Sequence, residues 1–456
     1  MAQCSKQIRN LKQKSKMKKT SILALVAAMS ASTGFAQDEW TLERCIGHAV
    51  ENNITIKQQQ LNVEQQHNSY EQTRYGVLPS VNAGLSQSYS FGQSTGGDNT
   101  YVNNNSSTTS GYISANVTLF NGLSKYNQIK VSKLNYEAAL QNLEQAKNNM
   151  SLNITSAYLE VLLNKELLET SREQLELTRE QIETNRQQVE AGKLAAGKLL
   201  ETESQAASEE LDVTNRENSL LISKITLQQL LELPVSENFD VAVPNIDFDQ
   251  VAATLLSVDT VYERAVEERP EIKSRELAVE SADRQIAVAR AQQYPSLSAN
   301  AGYSNSYYKM SGLENPSLSD QLDVHGSKSI GLSLSIPIFN GWQARTSVKN
   351  SKLNYQNSQL ELQQAKNTLL KEIQQVYVNA QAALKRYESS QKAVSSADES
   401  FRYVKEKFDL GIVTPLEFNE AKNRLAQAQS TFIQAKYEYL FRMKILDFYY
   451  GRELKI

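Results

Sequence analysis

Cysteine, histidine and proline are scarce in this chain, with 2, 3 and 8 residues among 456. Cys4 falls in the leader described below, so Cys45 stands alone and no intramolecular disulfide can form. His48, His67 and His325 lie far apart, and with one cysteine they make no ligand set at metal spacing. No Ser/His/Asp set or carboxylate pair stands out either, so no catalytic residue, metal or cofactor is expected. The formal net charge is only −3. No basic face is available to neutralise phosphates, which argues against nucleic acid as a partner. Past the N-terminus there is no apolar run long enough for a transmembrane helix. What remains is a composition of long polar helices with something tyrosine-rich, since Tyr (21) outnumbers Phe (12).

The N-terminus reads as an export signal. Lys18 and Lys19 follow Met17, an apolar run extends from Ile22 to Met29, and small residues lead to Gly34-Phe35-Ala36. This predicts a signal peptide within 1–36, cleaved after Ala36, with Met17 as the better start. Cys45 lies too far from that cleavage point for lipid attachment. An exported chain without a helical anchor is periplasmic, secreted, or held in an outer membrane by β-strands.

The chain is written twice. Ser132-Lys133-Leu134-Asn135-Tyr136 returns 219 residues later as Ser351-Lys352-Leu353-Asn354-Tyr355. At that offset Phe120-Asn121-Gly122 becomes Phe339-Asn340-Gly341, and Gly192 becomes Gly411. A period this long is a duplicated domain-sized unit and not a short solenoid repeat. We expect repeats at 37–233 and 260–456, joined by a linker at 234–259 in which Pro244 breaks short apolar stretches.

Each repeat carries a long heptad pattern. In the first the rows are Ile154, Val161, Leu168, Leu175, Ile182, Val189 and Met150, Ala157, Asn164, Ser171, Thr178, Asn185. In the second they are Ile373, Ala380, Tyr387, Val394, Phe401, Phe408 and Leu369, Val376, Ala383, Ser390, Ala397, Val404. Alternating steps of three and four predict a left-handed coiled-coil seam. Further seven-residue rows begin at Leu199 and Phe418, so each repeat should hold a helix, a glycine turn near 192–198 or 411–417, and a helix returning antiparallel. An outgoing helix from about Ile129 to Glu190 would be ~90 Å long.

Before each hairpin lies a strand pair, at about 78–121 and 295–338. Val81, Ala83 and Leu85 alternate with Asn82, Gly84 and Ser86; Ile113, Ala115, Val117 and Leu119 alternate with Ser114, Asn116 and Thr118. In the copy, Leu297, Ala299, Ala301 and Tyr303 alternate with Ser298, Asn300 and Gly302, and Leu332, Leu334, Ile336 and Ile338 form the last apolar row. The links at 92–110 and 309–328 have loop composition. Strands apolar on one face and small and polar on the other suit a transmembrane β-barrel or, alternatively, a soluble sandwich. Four strands cannot close a barrel, which takes about eight or more, so a barrel would have to be shared between subunits. Tyr89, Tyr101, Tyr112, Tyr303, Tyr307, Tyr308 and Trp342 fit aromatic girdles at the lipid boundaries, or ordinary strand composition.

The pattern resembles the TolC-type outer membrane efflux proteins. The carriers are Phe120, Asn121, Gly122 and Phe339, Asn340, Gly341 at the strand-to-helix junctions, Leu78-Pro79-Ser80 and Tyr294-Pro295-Ser296 at strand entry, and the tip glycines Gly192 and Gly411. The resemblance spans about Trp40 to Gly451. It implies a mainly α fold with a membrane β-barrel portion: a homotrimer with a 12-stranded barrel and a periplasmic α-helical barrel. It also implies a passive conduit in outer-membrane lipid, opened by a periplasmic membrane-fusion adaptor tied to an inner-membrane pump of the RND or ABC class. By the resemblance the adaptor-contact tips contain Gly192, Lys198 and Leu199, and Gly411, Ile412, Thr414, Pro415, Leu416 and Glu417. Glu417 keeps the family's acidic residue at the sixth position after the glycine, whereas Lys198 departs from it.

Two rival readings stand beside this one. Residues 192–199 nearly spell a phosphate-binding loop, but Leu199 occupies the Ser/Thr position and no strand precedes it. From another class, a periplasmic coiled-coil adaptor or adhesin with a soluble β-cap would explain the helices. It would expect strands polar on both faces.

Overall fold

A computed structural model describes residues 40–95, 101–103, 105–244, 257–311, 314–452 and 454–455. The expected signal peptide at 1–36 lies outside the described residues, as does part of the linker. Each repeat opens with a broken helix: α1 (Leu42–Asn52) and α2 (Ile54–Tyr75), then α5 (Val258–Glu268) and α6 (Pro270–Ala291). The two breaks have different causes. Asn53 is extended (φ −61°, ψ 133°) and caps α2 by accepting from the Thr55 N–H at 2.9 Å. Arg269 is extended (φ −69°, ψ 128°) because the Pro270 ring disfavours helix in the residue before it.

The long helices are α3 (Ser124–Glu190) and α8 (Gln343–Asp409), each of 67 residues, or ~100 Å. The first begins about five residues before the expected start, close behind the strand end at Asn121. Their partners, α4 (Ala196–Leu230) and α9 (Pro415–Tyr449), have 35 residues each and return antiparallel. The heptad rows do form the seams. Ile154, Val161, Leu168 and Leu175 are buried in α3, and Ile373, Ala380, Tyr387 and Phe401 in α8. The interiors differ in chemistry. Phe401 packs on Phe418 with ring centroids 5.4 Å apart in the second hairpin, whereas the first buries Thr178 and Asn185 at its seam.

The four main strands form one antiparallel sheet in the order β1 (Ser80–Ser90), β4 (Ser106–Asn121), β5 (Ser296–Met310), β6 (Ser327–Ser335). Short strands β2 (Gln93–Thr95) and β3 (Tyr101–Asn103) pair within the first link. Register sets Ala83 opposite Ile113, Ile113 opposite Tyr303, Ala115 opposite Ala301, and Ala301 opposite Ile330. Every apolar alternation therefore falls on one face, and Asn82, Ser114, Gly302 and Ser329 fall on the other. A bulge between Thr118 and Phe120 shifts the count by one and brings Phe120 level with Leu297, on the apolar side. Among the described residues nothing covers that face: Leu85 is 81 % exposed and Ile330 92 %.

Three details differ from expectation. The last strand ends at Ser335 and not near 338, because Pro337 has no N–H to donate to the ladder. The second link is not all loop; it contains α7 (Leu318–Val324), capped by the Ser317 hydroxyl. Tyr112 lies on the polar face, its ring over Gly84, so it cannot belong to an outward girdle.

The largest core lies partway along the hairpins. Leu42, Cys45 and Ile56 meet Ile154, Tyr158 and Val161 of α3, Leu227 of α4, Val241 of the linker, and Ile433 and Leu440 of α9. Asp240 staples the linker there through Lys165 at 2.9 Å and Lys224 at 3.2 Å, and the Tyr158 hydroxyl donates to the Ala242 carbonyl at 2.6 Å.

Both strand-to-helix junctions turn through two left-handed residues, Gly122 (φ 65°) with Leu123 (φ 65°) and Gly341 (φ 60°) with Trp342 (φ 67°). A Cβ at Gly122 would sit 2.9 Å from the Ala291 carbonyl oxygen, whereas one at Gly341 would meet nothing. We expect Gly341→Ala to cost about 1 kcal/mol through its φ alone, and Gly122→Ala about 2–3 kcal/mol with the added clash. Thermal melting of the two purified variants checks this; equal melting points would remove the clash from the account.

Candidate functional site: the two hairpin tips

The predicted tip residues lie on two separate turns, one per hairpin, and each turn is built by the same backbone device. After α3, the Gly192 N–H donates to the Val189 carbonyl at 2.9 Å and the Lys193 N–H to Gln188 at 2.8 Å. After α8, the Gly411 N–H donates to Phe408 and the Ile412 N–H to Lys407, both at 2.9 Å. Both glycines have φ 70°. These are Schellman caps, which satisfy the last helical carbonyls and need the left-handed conformation that glycine adopts without strain. The near-match to a phosphate loop at 192–199 is thus a helix-to-helix turn with no strand before it.

The restart of each returning helix differs. Thr414 caps α9: the Glu417 N–H donates to its hydroxyl at 3.3 Å, while the Thr414 N–H donates back to the Glu417 carboxylate at 2.8 Å. With Pro415 in the first turn this is a complete capping box. Those bonds from the Thr414 backbone and hydroxyl hold the Glu417 pKa below its ordinary value. Helix α4 starts at Ala195 with no side-chain cap. Lys198, in its first turn, pairs with Glu201 at 2.7 Å.

The exposed groups are apolar knobs among charges. Ile412 is 68 % and Leu416 64 % exposed. Leu199, expected as a tip contact, is only partly exposed, and its neighbour Leu200 is the projecting residue at 64 %. Leu410, at 75 %, adds a knob that the heptad rows did not single out. Each tip therefore offers leucine-type side chains on a rigid glycine turn, with no acid–base or nucleophile arrangement. Such a surface is of a kind that can dock a partner. The spacing of Thr414 and Glu417 was a readable signal for the capping box, so Glu417 has a structural job on its own helix.

Three comparisons place this architecture. The family described as "Outer membrane efflux protein" matches residues 45–232 and 261–452. The outer membrane protein TolC of Vibrio cholerae is 22 % identical over 294 residues, covering 64 % of this chain and 66 % of that protein. Among solved structures, CusC superposes with a TM-score of 0.76 at 19 % identity, covering 90 % of this chain and 92 % of that one. The Campylobacter jejuni CmeC outer membrane channel gives 0.75 at 19 % identity, with 92 % and 88 % covered. At these identities the structural likeness speaks to the fold.

The capping box carries a pH signature. Because folding lowers the Glu417 pKa, its contribution is present above the ordinary carboxylate pKa and is lost as pH falls through the lowered folded value. Thr414→Ala should accelerate amide exchange across 415–418 by a few-fold to about tenfold at neutral pH, leaving 196–199 unchanged. The Ala variant should lose part of the acid dependence, since residue 414 keeps the backbone N–H that bonds Glu417. Hydrogen exchange with mass spectrometry reads both tips in one experiment, and equal protection in variant and wild type would deny the box any role.

Proposed function

The chain belongs to the outer membrane efflux protein family, and from that premise we propose that it is the outer-membrane channel subunit of a tripartite efflux or type I secretion system. The observation that carries this reading is the sheet. Among the described residues its apolar face is uncovered, and β1 and β6 end it with unpaired edges. In hydrocarbon such edges must be satisfied by protein, since no water is present to accept their hydrogen bonds. Three copies joined edge to edge close a barrel of twelve strands, and the ~100 Å hairpins then extend from it as a helical tube.

The repeats at 37–233 and 260–456, joined by 234–259, are in this reading two staves of that tube. Its periplasmic end carries the tip residues Gly192, Lys198, Leu199, Gly411, Ile412, Thr414, Pro415, Leu416 and Glu417, which receive a periplasmic adaptor. The adaptor ties the duct to an inner-membrane pump, of the RND or ABC class, that supplies the energy. Substrate passes through passively, and the chain does no chemistry. The rival coiled-coil adaptor or adhesin, soluble and capped by the sheet, has no element to bury Leu85 or Ile330.

Two measurements test this. Detergent extraction of isolated outer membranes should yield the processed chain at the native mass of three copies; a soluble monomer recovered without detergent would defeat the reading. Ile330→Arg, on the apolar face near the middle of β6, should impair membrane assembly by about 2–4 kcal/mol per chain. Ser329→Arg, on the opposite face, should assemble normally. Heat-resistant trimer recovered from membranes reports both, and equal tolerance would mean that the apolar face does not meet lipid.

A further inference from the structure

Strand β5 runs on past the end of β6, and side chains close the edge that it leaves there. β6 starts at Ser327, level with Ser304, while β5 continues to Met310. In the first repeat the corresponding strands are flush, since β1 ends at Ser90, level with Ser106 where β4 begins. Residues 305–310 therefore pair with β4 on one side and face a missing strand on the other. In an antiparallel ladder alternate residues point their backbone groups to opposite sides. Here Ser306, Tyr308 and Met310 point theirs away from β4.

All six of those backbone groups are met by side chains. The Gln321 amide accepts from the Tyr308 N–H at 2.9 Å and donates to the Tyr308 carbonyl at 2.9 Å. Asn315 does the same for Met310, at 2.7 Å and 2.9 Å. His325 Nδ1 donates to the Ser306 carbonyl at 2.8 Å, and the Ser306 N–H donates to the Asn305 side chain at 2.8 Å. A side-chain amide that both accepts and donates offers a strand residue what a paired strand would offer.

The closing groups are held in place. Gln321, on α7, is 2 % exposed, and its Nε2 also donates to the Pro316 carbonyl at 3.0 Å. The Asn305 amide donates to the Leu322 carbonyl at 2.7 Å, which ties the helix to the strand. The His325 ring stacks on Tyr308 with centroids 5.4 Å apart. Lipid does not demand this arrangement. Along this stretch Asn305, Tyr307 and Lys309 follow Tyr303 on the face that is apolar lower down, so it lies beyond the apolar band, where water can satisfy an edge. What an open edge invites there is another strand.

We propose that α7 with Asn315 is a strand surrogate that closes β5 beyond the end of β6, so that a second copy joins only along β6. This rests on the channel reading above and names the device that holds assembly to a closing geometry. A β1 strand added to β5 would sit one strand away from its proper partner, and a misplaced head-to-tail contact builds open chains of copies instead of a ring.

Asn315→Ala combined with Gln321→Ala removes four of the six bonds and leaves the Ser317 cap of α7 in place. The probe is a biotinylated peptide with the sequence of β1, Ser80–Ser90. Detergent-extracted trimers of the double variant should capture it several-fold more than wild-type trimers do. A photo-reactive group on the peptide should then mark residues 305–310. Without peptide, the double variant should show native masses above three copies. The wild type and Asp323→Ala, an exposed change on the same helix, should show none. Equal capture by variant and wild type would overturn the surrogate, as would marking confined to β1 or β6. Each single alanine variant frees one residue's pair of groups and serves where the double variant fails to accumulate; no gain in capture by either would count against the proposal. The channel reading fails separately, on the native mass and membrane fraction of the wild type.

Discussion

A strand edge has to be hydrogen-bonded wherever water is absent, and this chain exposes two such edges beside an apolar face. The order β1-β4-β5-β6 leaves the outer side of β1 and of β6 without a partner among the described residues. In water the apolar face would aggregate; in lipid the edges would be orphaned. Only closure through further copies meets both demands. The duplication follows naturally from this need. Two strand pairs per chain, each feeding a hairpin, make a sheet wide enough for a few copies to close it, and every pair of strands brings two helices to the wall below.

The junctions between strand and helix are where this design is tightest. Each repeat passes from its strand pair to its long helix through Phe-Asn-Gly, by way of two left-handed residues. A bulky residue tolerates that conformation only when its surroundings hold it there. Trp342 is held in part by Arg345, whose guanidinium lies 4.5 Å from its ring centroid. The core partway along the hairpins then fixes the helices a second time, with the linker strapped across them by Asp240. Burial opposes ionisation of that carboxylate, yet the bonds from Lys165, the Val241 N–H and Lys224 outweigh it and leave the pKa lowered. The helices are thus held at the sheet and at that core. Their far ends depend on side-chain contacts between hairpins.

Most of this architecture is legible in the sequence because it is periodic. Heptad rows of six members and alternation along each strand are local signals, and their recurrence in the second half reinforces them. The details that escaped have non-periodic causes. Pro337 ends β6 because it lacks one N–H, which the apolar row through Ile338 does not register. Helix α7 rests on a cap at Ser317 inside a stretch with the composition of a loop. Tyr112 turns inward to cover Gly84, a cross-strand relation invisible along one strand. Glu417 was legible twice over, as a family-like acidic tip residue and as the last member of a Thr-x-x-Glu box, and its bonds in the structure are those of the box. Lys422 was not legible at all. Its partners lie 213 to 248 residues away, on another hairpin.

Asymmetry between the copies carries the functional argument further than their likeness does. A purely structural duplication would tend to keep equivalent seams, since both hairpins meet the same geometric demand. Instead the second hairpin has filled its seam with Phe401, Phe418 and Leu425, a water-excluding core that makes it a rigid unit. The first has kept threonine and amide groups at matching depth, and it spends them on a contact outside itself. Hydrophobic contacts are non-directional and tolerate sliding, whereas a caged ammonium has one position and loses much when displaced. Near the tips the two hairpins therefore meet in one defined register, set by the Lys422 ammonium among Gln174, Thr178 and Glu209.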